Sequence, residues 1–144
     1  IVKLKIINKT DYEFLYDLLK NRNPHANISH KKLPSFSEHI KFIESKPYSK
    51  WYIILTNNEK IGSIYLSKND EIGIFLKNTI QKKGIGKESL KLIMEKNHRT
   101  RYLANISPQN KTSMKFFKNQ KFKLIQYTYE LNNSWTNIEY EKND

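Results

Sequence analysis

The stretch Gln81-Lys82-Lys83-Gly84-Ile85-Gly86-Lys87 decides how the rest of the chain is read. It follows a strand-like run from Glu71 to Lys77 and opens a helical run that extends to about Asn97. A helix N-terminus leaves its first N–H groups without intrahelical acceptors and carries partial positive charge, so it attracts anions, phosphate above all. Gly84 and Gly86 remove Cβ atoms that would hold a ligand away from the main chain. Lys82, Lys83 and Lys87 add full positive charge. The loop is not a P-loop, because no Gly-Lys-Ser/Thr follows. Nor is it the dinucleotide fingerprint, because the third glycine is missing and the preceding strand sits in a meander. By itself the pattern reads equally well as a glycine-bearing turn with solvated lysines.

The sequence before the loop supplies that meander. Trp51 to Thr56, Ile61 to Ser67 and Glu71 to Lys77 are strand-like, and the turn pairs Asn57-Asn58 and Asn69-Asp70 separate them. Earlier still, Val2, Leu4 and Ile6 alternate with lysines as in a half-buried strand. Thr10 with Glu13, and Ser35 with Glu38, have capping-box spacing and predict two amphipathic helices. Residues 23–34 carry two prolines and no period, which predicts a loop. After the loop at 81–87, Ile85, Leu90, Leu92 and Ile93 form the inward face of the third helix. Tyr102 to Ile106 reads as a strand, and Ser107-Pro108 as the N-cap and first residue of a fourth helix carrying Met114, Phe116 and Phe117. Lys123 to Leu131 and Trp135 to Tyr140 read as a closing strand pair around Asn132-Asn133. The order β-α-α-β-β-β-α-β-α-β-β predicts an α+β, mixed α/β fold, as a single domain over residues 1–144.

Composition narrows the function. The 144 residues contain no cysteine, which excludes a disulfide scaffold, a Cys-based zinc site and a thiol nucleophile. The formal net charge is +12, which invites a nucleic-acid reading, but only Arg22, Arg99 and Arg101 are arginines. Lysines spread along the whole chain fit A/T-rich codon usage, so a nucleic-acid partner is not expected. No apolar run approaches the roughly 20 residues of a membrane span. Ile1 opens a short alternating segment, so no secretory leader is expected and the protein is read as cytoplasmic. His25, His30, His39 and His98 show no metal-ligand spacing, and no metal is expected.

A second motif stands downstream: Asn110-Lys111-Thr112-Ser113-Met114-Lys115-Phe116-Phe117, followed by Phe122. Together, Gln-x-x-Gly-x-Gly at 81–86 and this segment resemble the GNAT superfamily of acyl-CoA N-acetyltransferases, over nearly the whole chain. The resemblance implies a central mixed, mostly antiparallel sheet of about seven strands flanked by about four helices. It also implies acetyl-CoA as co-substrate, with its pyrophosphate on the loop formed by Gln81, Lys82, Lys83, Gly84, Ile85, Gly86 and Lys87. The pantetheine arm would pair with the backbone of Phe75, Leu76 and Lys77. Asn110, Ser113, Phe116 and Phe117 would line that arm. A lysine-rich loop suits a polyanion such as CoA without any nucleic acid.

The resemblance further implies direct acetyl transfer to a primary amine, and the absence of cysteine agrees. Glu71, at the start of the strand leading to the loop, is the expected general base, acting through water. A backbone N–H of Phe75 or Leu76 is the expected donor to the thioester oxygen. Two positions depart from the family pattern: Phe117 stands where many relatives have a proton-donating tyrosine, and Lys121 replaces the usual glycine before Phe122. Tyr127, Tyr129 or water could replace the missing donor. His25, His30 and Tyr127 are the expected acceptor contacts.

The segments Ser37–Ile43, Glu71–Ile74 and Asn105–Asn110 are similar to a bacterial-type branch that includes nucleotide-amino-sugar N-acetyltransferases. A small-molecule amine acceptor, an amino sugar, is therefore expected. The alternatives are a protein N-terminal or peptide acetyltransferase, a non-catalytic CoA-binding protein, and a basic nucleic-acid-binding module. Edge strands allow either a monomer or a homodimer.

Overall fold

Strands β1 (Val2–Ile6), β2 (Lys50–Thr56), β3 (Glu59–Leu66) and β4 (Ile72–Leu76) pair antiparallel in the spatial order β1-β2-β3-β4. The computed structural model describes residues 1–22, 32–80 and 84–134. Among these residues four α-helices accompany the sheet: α1 (Tyr12–Lys20), α2 (Phe36–Glu44), α3 (Ile85–Lys96) and α4 (Lys111–Asn119). The mixed α and β architecture is the expected one. The sheet differs, with four strands among the described residues where about seven were expected.

The missing strands have a physical reason. Tyr102–Ile106 meets the sheet through a single parallel bridge, Leu103 with Glu71. The chain then leaves the sheet: Asn105 turns its side chain to Glu71, and Asn110 closes a turn by donating its N–H to the Ser107 carbonyl. Lys123–Leu131 forms no strand, and Leu124, Ile125, Tyr127, Tyr129 and Leu131 are all exposed. Alternation offers a strand a face, but pairing makes the strand. The expected partner, Trp135–Tyr140, lies outside the described residues.

Capping also moved at two of the helices. Ser35 and Glu38 form the expected capping box on α2. Ahead of α1, however, Asn8 and Asp11 make the box around a short 3-10 turn, Lys9–Asp11, in place of Thr10 and Glu13. Asn110 caps α4 by accepting from the Ser113 N–H at 3.1 Å, so the helix starts beyond Ser107-Pro108. Asn and Ser rank equally as caps, so local propensity did not decide between them.

Strand β2 is apolar on both faces because both are covered. Tyr52 and Ile54 join Ile64, Leu66, Ile72, Leu90 and Ile93 on the α3 side. Ile53 packs with Leu15 and Ile43 on the α1–α2 side. His39 is buried on that second side beside the rings of Tyr16 and Phe42. Burial holds its pKa below the ordinary value.

Asp11 ties these parts together. Its carboxylate is fully buried, 2.7 Å from Lys5 Nζ on β1 and 2.7 Å from Lys60 Nζ on β3, and it accepts the Asn8 N–H at 2.9 Å. Burial alone would raise its pKa, but the Lys5, Lys60 and Asn8 contacts outweigh burial and hold it below the ordinary value. A depressed carboxylate stabilises the fold above its unfolded pKa, and that contribution is lost as pH falls through the folded one. Asp11→Asn removes the anion from two ammonium groups that are each about a third exposed to water, and should cost about 1–2 kcal/mol at pH 7. Denaturant titrations of both proteins at pH 7 and pH 3 check this. The gap should narrow in acid, because the contribution of Asp11 fades as pH falls below the unfolded carboxylate pKa toward the depressed folded one.

Candidate active site

The site begins where the sheet stops. In an antiparallel pair, alternate residues turn their N–H and C=O groups toward opposite neighbours. Lys77 donates to Ile61 and Ser67 donates to the Glu71 carbonyl, which fixes the parity of β4 against β3. Phe75 and Gly73 therefore point their backbone groups into β3, while Ile72, Ile74 and Leu76 point theirs outward. Ile72 confirms the parity by donating to the Leu103 carbonyl at 2.7 Å. The expectation that Phe75 offers its N–H is thus corrected: the outward donors are Ile74 and Leu76. The Phe75 side chain lies on the α1–α2 face, with the Arg22 guanidinium 4.3 Å from its ring centre.

Beyond the bridge, β4 and the 105–107 segment flank a cleft of about 1180 Å³. One half is bounded by Lys77, Gly84, Gly86, Lys87, Asn110, Ser113, Phe116 and Phe117. The other is bounded by Asp17 and Arg22 near the end of α1, and by Tyr48, Tyr65 and Glu71.

In the first half, Gly84 is the N-cap of α3 and has φ +75°, a left-handed conformation that favours glycine. Gly86 serves packing, because a Cβ there would stand 3.2 Å from the Phe116 ring of α4. The side chain of Ile85 packs on the core and leaves only its backbone for a ligand. Asn110 lines the cleft, although its carboxamide oxygen is committed to capping α4. Phe117 is buried between Phe116 and Phe122 and carries no proton to give. Gln81, Lys82 and Lys83 lie outside the described residues.

In the second half, both carboxylate oxygens of Glu71 are engaged. Ser67 Oγ donates to Oε1 at 2.9 Å, and Asn105 Nδ2 donates to Oε2. Ser67 Oγ also accepts the N–H groups of Glu71 and Asn69, so the turn that follows β3 builds the clamp. The Tyr48 and Tyr65 rings stack at 3.8 Å. Burial pushes the pKa of both phenols up, so both stay protonated at neutral pH. Tyr127, expected as an acceptor contact, is 75% exposed and does not line the cleft. Tyr129 is likewise exposed and does not line the cleft. His25 and His30 lie outside the described residues.

Sequence reasoning missed Asp17, Arg22, Tyr48, Tyr65, Ser67, Ile74 and Asn105 as site residues. One signal was available: Ser67 and Glu71 flank the Asn69-Asp70 turn, which brings their side chains together. Asn105 is placed by the bridge at Leu103, which no local pattern encodes.

The model of the acetyltransferase (GNAT) family matches residues 12–122. No curated protein matches the sequence. Among solved structures, a domain from Methanocaldococcus jannaschii DSM 2661 is 26% identical and superposes with a TM-score of 0.76, over 90% of this chain and 93% of that one. An acetyltransferase from Salmonella typhimurium that modifies the N-terminal serine of ribosomal protein L7/L12 is 21% identical, with a TM-score of 0.69 over 91% and 87% of the two chains. The aminoglycoside N-acetyltransferase AAC(6')-Iy, solved with a CoA-linked bisubstrate analogue, is 17% identical, with a TM-score of 0.71 over 92% and 97%. The chain belongs to the GNAT family of acetyltransferases. It is an acetyl-CoA-dependent N-acetyltransferase.

Gly86→Glu would drive a side chain against Phe116 and add negative charge in the first turn of α3. Wild-type protein with acetyl-CoA at a hundred times its Kd should gain about 2.7 kcal/mol. A thermal-shift titration should show that gain for the wild type and none for Gly86→Glu.

Proposed function

We propose that the protein transfers the acetyl group of acetyl-CoA directly to the primary amine of a small amino sugar, with Glu71 as general base through water. The observation that carries this reading is the Glu71 carboxylate, clamped by Ser67 and Asn105 where the two halves of the cleft meet. Bound acetyl-CoA would supply an acetyl thioester. Lys77, Lys87 and the N-terminus of α3 suit its phosphates, and the open edge of β4 suits its amide-bearing arm. Gln81, Lys82 and Lys83 complete the loop in this reading.

A lysine-like amine has a pKa near 10.4, and the oxygens around the amine of an amino sugar lower it toward neutrality, so the acceptor still reaches the site in part as the ammonium. Asp17 and Glu71 attract that ammonium. Glu71 then takes a proton through water and frees the nitrogen lone pair. One outward N–H of β4, that of Ile74 or of Leu76, meets the charge that builds on the carbonyl oxygen. The nitrogen bonds the carbonyl carbon as the C–S bond breaks, and the second ammonium proton passes through solvent to the departing thiolate, which a thiol pKa near 8.5 makes a tolerable leaving group, so Phe117 does not forbid the reaction. Asn21, Tyr48 and Tyr65 give the acceptor half hydrogen-bonding groups for a polyhydroxylated ring. The enzyme works in this reading as a cytoplasmic single domain over residues 1–144, as a monomer or homodimer.

CoA release, measured with a thiol reagent across amino sugars, nucleotide-linked amino sugars, polyamines and peptide N-termini, tests the acceptor. Turnover should favour the sugars, and Glu71→Gln should lower kcat/KM by about 10²- to 10⁴-fold. Turnover confined to peptides would replace this reading with an N-terminal acetyltransferase. Acetyl-CoA binding without turnover of any amine would leave a CoA-binding protein.

A further inference from the structure

The clamp on Glu71 is asymmetric. Ser67 reaches it locally, across the turn that joins β3 to β4. Asn105 reaches it from the opposite wall, donating Nδ2 to Oε2 across the point where the strands part. That bond is not needed to hold the walls together. The bridge already has its own backbone bonds, Ile72 to Leu103 at 2.7 Å and Leu103 to Asp70 at 2.9 Å. The Asn105 residue is itself exposed, so its side chain contributes little apolar burial. What the contact does uniquely is aim a carboxylate. A glutamate side chain has three rotatable bonds, and a single donor at Oε1 leaves the carboxylate free to swing about that contact. A second donor at Oε2 fixes its plane.

We infer that Asn105 is a positioning residue, which orients Glu71 toward the water and the amine. The inference rests on Glu71 being the base. Misplacement of a catalytic group by about 1 Å can cost on the order of 10²-fold in rate, which sets the scale of the effect.

A double-mutant cycle tests it with Asn105→Ala, Glu71→Gln and their combination, assayed with acetyl-CoA and the best acceptor of the panel. Asn105→Ala should lower kcat by about tenfold to a hundredfold. Its KM for acetyl-CoA and its thermal shift with acetyl-CoA should stay within twofold and one degree of wild type. In the Glu71→Gln background the same change should cost nothing further, because residues acting as a unit are not additive. Asn105→Asp keeps the shape, removes the donor and adds a like charge, so it should be worse than alanine. An equal fractional loss in both backgrounds, or Asn105→Asp tolerated better than alanine, would overturn the inference and leave Asn105 a packing residue. Full activity in Glu71→Gln would instead remove the base reading itself, a separate outcome.

Discussion

The Ile72 N–H to Leu103 carbonyl bond and its companion, Leu103 to Asp70, are the last pairing on the outer edge of β4 among the described residues. Main-chain donors and acceptors away from water must find partners. The edge of β4 beyond that pairing opens on the cleft, where water or an amide-bearing occupant can take up its donors and acceptors. The outward N–H groups of Ile74 and Leu76 lie just past that last pairing, as does the cleft between β4 and residues 105–107, with Glu71 at its apex. Had Tyr102–Ile106 paired along its length, the sheet would have closed over the site.

The two halves of the cleft divide the electrostatic work. Lys77, Lys87 and the start of α3 make one half attractive to a polyanion. Asp17 and Glu71 bring negative charge to the other, with Arg22 beside Phe75 and the stacked Tyr48 and Tyr65 forming its wall. In the proposed reaction, a negatively charged donor and a positively charged acceptor would be kept on their own sides of β4. In that proposal the net charge of +12, prominent in the composition, enters the chemistry through the few lysines at the loop.

Packing explains why the tolerances differ between the glycines of the loop. Gly84 is held by a left-handed φ with open space around it, so its constraint is conformational. Gly86 is held by the Phe116 ring, so its constraint is the distance between α3 and α4. The same α4 carries Phe117, whose ring completes an aromatic row with Phe116 and Phe122 and gives that wall a hydrophobic rather than a proton-donating character.

The sequence by itself determined the meander and the helices, because these depend on local period and turn chemistry within a few residues of one another, though the caps of two helices moved. Asn57 and Asn58, both at positive φ, turn β2 into β3 as their side chains permit. It also placed Glu71 next to the loop. Only the tertiary structure decided which backbone donors face the cleft, since that depends on ladder parity between β3 and β4. It alone removed Tyr127 from the site, because alternation in residues 123–131 does not supply a pairing partner. And it alone joined Asn105 to Glu71, because residues 34 positions apart meet through the Leu103 bridge, a contact that neither segment encodes locally.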